Sequence, residues 1–296
     1  MTFRNNALAR KALPLVCGAA VLLGLAAQAF AETTRERILS EKTIVIGVHN
    51  KAPWGYRDQD GNPAGFHPDL VRAVFEPLGV TKVELVIADF GALIPGLVAS
   101  RFDAIASGLY ITPKRCELVA FSNPDLRLAD AALVAAGNPK GISSYGDIAK
   151  NAELRFGATR GSVQGKNAAA AGIPESQMLL FQNTEATIAA LTSGRVDAIA
   201  FSAATASKVV GDPNIEGIER ASPFTGLILE NGKEKVGHSA VAFRKDDEDL
   251  RDLYNERLAQ LRSDGTFDKI MQKNGFSTME RAPDISFTQL CSGQVQ

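Results

Sequence analysis

The densest run of chemically able side chains is Ser107-Gly108-Leu109-Tyr110-Ile111-Thr112-Pro113-Lys114-Arg115. Arg115 offers a planar fork of five donors that can pair both oxygens of a carboxylate at once, which a lysine cannot do. Thr112 adds a hydroxyl, and Gly108 lets backbone approach a bound group closely because it carries no Cβ. Three aromatic residues, Trp54, Phe90 and Tyr110, stand at predicted strand-to-helix connections. The faces of such rings attract cationic or polarised groups. The competing readings are core packing for the aromatics and a solvated position early in a helix for Arg115. A second stretch, Gly157-Ala158-Thr159-Arg160-Gly161-Ser162, follows a strand-like segment and precedes helix-compatible residues. That arrangement suits an anion at a helix N-terminus.

Other chemistries lack their residues. His49, His67 and His238 are dispersed, with no HExxH and no paired metal-ligand spacing, so no metal is expected. No GxSxG elbow, P-loop or GxGxxG follows a strand, and no cofactor is expected. With 32 basic and 33 acidic residues among 296, the chain has no basic excess that would call for nucleic acid.

The elements that must carry these residues alternate. Thr43 to His49 and Lys82 to Ile87 read as strands, Pro68 to Leu78 as a helix with Leu70, Val74 and Leu78 on one face, and Ala92 to Ser100 as a helix before a strand at Asp103 to Ser107. Alternation of this kind predicts an α/β layer with a largely parallel sheet, whose ligand crevice lies beyond the carboxyl ends of the strands. The unit is repeated. Leu93 to Ala106 (LIPGLVASRFDAIA) and Thr187 to Ala200 (TIAALTSGRVDAIA) match at seven of 14 positions at a constant offset of 94 residues. Two similarly built lobes with a cleft between them follow, since a solenoid would need more copies. The apolar run Ala131 to Ala136, with the breaker Gly137-Asn138-Pro139-Lys140 after it, and the strand-like Ser239 to Phe243, ending in the polar Arg244 to Asp249, suggest two crossings, giving one lobe from 32–136 and 238–296 and another from 137–237. Two crossings permit hinging while restraining it to opening and closing. From Leu250 an amphipathic helix presents Leu250, Leu253, Tyr254, Leu258 and Leu261 as its apolar stripe.

At the N-terminus, Arg4, Arg10 and Lys11 precede an uncharged run from Ala12 to Ala27 that ends in Ala29-Phe30-Ala31. This predicts a secretory signal peptide over 1–31 and export to the periplasm, with Cys17 leaving in the leader. The remaining chain keeps 29 basic and 33 acidic residues, a formal charge of −4. Cys116 and Cys291 survive processing and meet an oxidising compartment. A long-range disulfide and two unpaired thiols are the alternatives.

Over nearly the whole exported chain, from TIVIGVHNKAPWGY through RFDAIASGLYITPKR and GRVDAIAFS to AFRKDDEDLRDLYNERLAQLRSDGTFDKI, the sequence resembles the family 3 extracellular solute-binding proteins of ABC importers. Asp103, Gly108, Thr112 and Arg115 fall on that family's D…G…T…R pattern. The runs FGALIPGLVASRFDAIASGLYITPKRC, AGNPK, GIPESQ and LCSG look most like its ectoine/hydroxyectoine-binding branch. The resemblance implies a type II two-lobed periplasmic binding protein, acting as a monomer that delivers a small solute to a membrane permease and its ATPase. It further implies an aromatic box of Trp54, Phe90 and Tyr110 with Arg115 as carboxylate clamp, and Gly161, Ser162 and Ser202 closing from the other lobe. Ser202 stands where amino-acid receptors of the family place an aspartate for the α-amino group. Lys51 stands where the ectoine branch places an acid, so it either faces the ligand or points to solvent. Two other roles on the same scaffold remain: a periplasmic dehydratase-like enzyme, with Asp89 or Glu185 as its acid or base, and a receptor subunit that senses ligand for signalling.

Overall fold

The computed structural model describes Met1, Thr2 and residues 32–293, so the expected signal peptide lies outside the described residues apart from its first two. No helix among the described residues is long and apolar enough to cross a membrane. The account below concerns the unit that begins at Thr33.

Each half of the fold has the same plan. In the first, the strands Lys82–Ile87, Thr43–Val48 and Ala104–Tyr110 run parallel, and Val236–Phe243 closes the edge antiparallel. In the second, Met178–Phe181, Phe156–Thr159 and Ala198–Ser202 run parallel, and Arg127–Ala135 closes the edge antiparallel. The two antiparallel strands are also the crossings, because Arg127–Ala129 pairs with Val236–His238 and joins the halves. The apolar run from Ala131 pairs with Ala198–Phe201 and Ile218–Arg220. The crossing strand Arg127–Ala135 takes in most of the Ala131 to Ala136 run expected to cross, and its change of partner comes at its start, near Ala129. Gly137-Asn138-Pro139-Lys140 follows the strand as a turn closed by Asn138 N–H donating to the Ala135 carbonyl.

The 94-residue repeat has a physical basis. Leu93–Val98 and Thr184–Thr192 are the paired helices, and each turns into its strand through a left-handed residue, Ser100 (φ 56°) or Gly194 (φ 69°). The repeated aspartate then staples the strand beside it at both of that neighbour's polar groups. Asp103 accepts from Val45 N–H at 2.9 Å while its own N–H donates to the Val45 carbonyl at 2.8 Å. Asp197 accepts from Arg155 N–H at 2.8 Å and donates to the Arg155 carbonyl at 2.8 Å.

Alternating strand residues fill separate cores. Ile44, Ile46 and Val48 pack with Phe66, Leu70 and Val74 of the helix Phe66–Phe75, and with the stripe Leu250, Tyr254, Leu258 and Leu261 of the helix Glu248–Ser263. Val45 faces the other way, toward Leu93, Leu97 and Phe102. Burying each of these large side chains contributes about 1.5–3 kcal/mol, which is what holds the sheet rigid behind its loops.

Cys116 and Cys291 form a disulfide with Cα atoms 5.7 Å apart across 175 residues. It ties the terminal helix Phe287–Cys291 to the short helix Pro113–Cys116 that carries Arg115. In the chain-entropy model a loop of this length is worth up to about 5 kcal/mol. Cys291→Ser is therefore expected to lower the urea midpoint by a loss of several kcal/mol, and a midpoint unchanged from wild type would contradict a structural role for the bond.

Candidate functional site

The parallel strands of both lobes end at one cavity of about 60 Å³. That is room for about four to six waters. Lobe 1 lines it with His49, Trp54, Phe90, Ser107, Gly108, Tyr110 and Arg115, and lobe 2 with Thr159, Ser162, Val163, Gln164, Thr184, Phe201, Ser202 and Thr205.

Arg115 is 6% exposed. Thr112 caps its short helix by accepting Arg115 N–H at 3.3 Å, which fixes where the side chain leaves the backbone. The guanidinium donates to the Tyr110 carbonyl at 2.7 Å and, across the cleft, to the Gly161 carbonyl at 2.8 Å. It lies 5.7 Å from the centroid of the Phe90 ring. Among the described residues no carboxylate lies within ion-pair distance of it. Burial pushes its pKa down to about 10, partly offset by Tyr110, so the group still carries its charge at neutral pH.

The aromatic residues hold different stations. Trp54 is buried in lobe 1, stacked on His67 at 5.7 Å, and its indole N–H donates to Thr205 Oγ1 of lobe 2 at 2.9 Å. Gly108 makes this possible: at φ 67°, a Cβ there would lie 2.5 Å from the Trp54 ring. His67 in turn accepts Gly108 N–H at Nδ1 (3.2 Å), and its Nε2 meets Asp125 at 2.9 Å. A ring that accepts at Nδ1 carries its proton on Nε2, so Asp125 sets the tautomer beneath the cavity wall. Phe90 stands edge-on to His49 at 5.3 Å. Burial and the nearby Lys51 charge push the His49 pKa down to about 3, so this imidazole is neutral at pH 7.

Two polar atoms at the cavity are buried without a hydrogen-bond partner, Tyr110 Oη and Ser162 Oγ. Burial, with the Asp130 charge second, drives the Tyr110 pKa up, so the phenol keeps its proton. Ser162 precedes the helix Val163–Ala170 and makes no capping bond, leaving its hydroxyl for a solute. Ser202 is less free. It caps the helix Ala203–Val210 and donates to Thr205 Oγ1 at 3.0 Å.

Of the residues expected from the sequence, Trp54, Phe90, Gly108, Tyr110, Arg115, Ser162 and Ser202 line the cavity together. Three stand outside it. Thr112 positions Arg115 from behind. Gly161 sits at the seam, where its carbonyl accepts Arg115 and a Cβ at its φ of 81° would lie 2.8 Å from Gly91 Cα, so it lets the lobes meet. Lys51 Nζ lies 3.4 Å from Glu185 Oε1 of lobe 2, and Lys51 is not among the residues that line the cavity. Asp89 and Glu185, the acid candidates of an enzymatic reading, line the cleft mouth instead, with Asp89 accepting Gln182 Nε2 at 2.7 Å. Among the described residues no acid lines the cavity. No cluster suited to a metal ion occurs among the described residues.

The sequence reading gave no contact role to His49, Ser107, Thr159, Val163, Gln164, Thr184, Phe201 and Thr205, although Ser107 and Thr159 lie in the stretches it singled out. A signal existed for several. Extending the 94-residue offset past Ala106/Ala200 pairs Ser107 with Phe201 and Gly108 with Ser202, and His49 and Thr159 lie at or just past carboxyl ends of strands.

Residues 44–278 match the model of the bacterial extracellular solute-binding proteins, family 3. The chain belongs to this family. It is 34% identical over 278 residues to a probable amino-acid ABC transporter periplasmic-binding protein of Sinorhizobium fredii, covering 93% of this chain and 91% of that one. The crystal structure of EhuB in complex with hydroxyectoine superposes with a TM-score of 0.78 at 34% identity, covering 88% of this chain and 98% of that one. An ancestral amino acid-binding protein described as a precursor of cyclohexadienyl dehydratase gives a TM-score of 0.70 at 27% identity, over 82% and 99%. The two-lobed architecture is thus that of the family, and the chain's role is that of a substrate-binding component of an ABC transporter, not of an enzyme.

The sole tryptophan, Trp54, reports on closure because its N–H bonds across the cleft. Thr205→Val removes that acceptor at a cost of about 0.5–1.5 kcal/mol. It is expected to shift Trp54 emission and to weaken solute binding roughly two- to tenfold. Emission and affinity both unchanged would show that the bond does not stabilise the closed form.

Proposed function

We propose that this family 3 protein is exported to the periplasm, acts as a monomer, and captures a compact carboxylate whose cationic part, if it has one, is delocalised. It then presents that solute to an inner-membrane permease and ATPase. The observation that carries the ligand class is Arg115: a buried guanidinium at the cavity whose hydrogen bonds go only to carbonyls. A buried charge without a counter-ion is costly, and a bound carboxylate supplies that counter-ion in the geometry the fork favours.

The ectoine and hydroxyectoine type fits better than a standard α-amino acid. A localised ammonium would find no acid on the cavity wall, where Ser202 replaces the family's aspartate. Trp54, Phe90 and Tyr110 instead offer ring faces to a delocalised charge. Lys51 is not among the cavity-lining residues and lies 3.4 Å from Glu185, so that acid offsets part of its charge. Arg115, Trp54, Phe90, Tyr110, Gly108 and Ser162 are the proposed contacts, with Thr112, Gly161 and Ser202 in support.

A thermal-shift screen of hydroxyectoine, ectoine, polar amino acids, betaines and dicarboxylates tests the class. Ligand at a hundred times its dissociation constant should stabilise by about 2.7 kcal/mol, roughly 5–10 °C for a chain of this size. Arg115→Ala should cost the hit at least about thirtyfold in affinity, the penalty for removing one partner of a buried charge pair. Unchanged affinity in Arg115→Ala would sink the clamp, and a shift only with α-amino acids would sink the ligand class.

A further inference from the structure

The cavity wall holds a cation and no acid, yet a carboxylate stands immediately behind it. Asp130 pairs across the antiparallel strands with Ser202, so the two side chains stand on one face of the sheet. Asp130 is 5% exposed and accepts three hydrogen bonds, from Tyr145 Oη at 2.9 Å, Gln164 Nε2 at 2.9 Å and Asn167 Nδ2 at 2.8 Å. All three partners donate and none is charged, which is the surrounding an ionised carboxylate requires. Burial raises the Asp130 pKa above the ordinary carboxylate value, and the hydrogen bonds from Asn167, Gln164 and Tyr145 and the Lys235 charge offset only part of that rise.

Gln164 is the member of this cluster that lines the cavity. An amide can turn either nitrogen or oxygen to a ligand, but here its nitrogen is committed to Asp130. The carbonyl oxygen, which makes no hydrogen bond among the described residues, is the end left for a solute. The Asp130 charge also reaches Tyr110, whose phenol is the neighbouring unpaired group.

We infer that Asp130 is a positioning residue for specificity: it locks Gln164 with its carbonyl toward the cavity and backs that oxygen with a negative charge, which selects ligands bearing N–H groups on a delocalised cation. The wall then discriminates between a zwitterion and a plain carboxylate of the same shape, although no acid touches the ligand. This rests on the carboxylate reading of Arg115, which supplies the other pole.

The test is calorimetry with hydroxyectoine, whose ring carries N–H groups on a delocalised cation, and with cyclohexanecarboxylate, which has neither. Asp130→Asn keeps the shape, removes the charge and frees the Gln164 amide to invert. It should weaken hydroxyectoine at least about tenfold while leaving cyclohexanecarboxylate within about threefold of wild type. Gln164→Leu should weaken hydroxyectoine selectively as well, and the double variant should bind it no more than about twofold worse than Gln164→Leu alone, because Asp130 acts through Gln164. If Asp130→Asn does not fold, as judged by circular dichroism, the selective loss in Gln164→Leu remains the deciding measurement. Equal losses for both compounds, additive losses in the double variant, or no loss would overturn the inference and leave the Arg115 clamp standing. A wild-type protein that binds neither compound would overturn this inference, while the carboxylate reading of Arg115 would still be decided by the wider screen.

Discussion

A guanidinium buried at the meeting of two lobes, with no acid to pair it, is the constraint around which the rest of the site is arranged. Taking a charge out of water costs several kcal/mol even after the protein relaxes around it. Arg115 recovers part of that through two carbonyls, one from each lobe, and through the face of Phe90. The part that remains is available to a ligand. An arginine already paired with an aspartate would have offered a carboxylate only an exchange of partners.

The same residue explains why closure and binding belong together. Its second carbonyl comes from Gly161 of lobe 2, and Trp54 reaches the same lobe through Thr205, while Lys51–Glu185 and Gln182–Asp89 join the rims. The rim contacts are exposed and worth little individually. Bonds formed only in the closed form shift an opening equilibrium, and a solute that adds its own contacts to both lobes shifts it further. The crossings through Arg127–Ala129 and Val236–His238 pair with each other, which limits the motion they allow.

Much of this was legible in the residues. The repeat gave two lobes because Asp103 and Asp197 perform the same backbone staple, a local requirement that keeps its sequence mark. Arg115 was legible because cap, helix and charge sit within four residues of one another. Other features depend on pairing between distant segments. The apolar run from Ala131 does lie in the crossing strand, but register puts the change of partner upstream of it, and no local breaker records that. Lys51 could face a ligand or water, and the acid that approaches it, Glu185, comes from a distant segment that the local sequence does not reveal. Asp130 lies within an apolar strand and takes its partners from two helices, so its meaning appears only once Gln164 and Asn167 are brought against it.

The central claim is that Arg115 is built to receive a carboxylate. It is tested most directly by titrating the bound solute as its carboxylate and as its primary amide, in which an uncharged group replaces the carboxylate, into the same protein. The two differ in charge and hardly in shape. The amide leaves the guanidinium without its counter-ion, so it should bind at least about thirtyfold more weakly. Equal affinity for acid and amide would mean that Arg115 serves the packing of the lobes and that recognition rests elsewhere in the cavity.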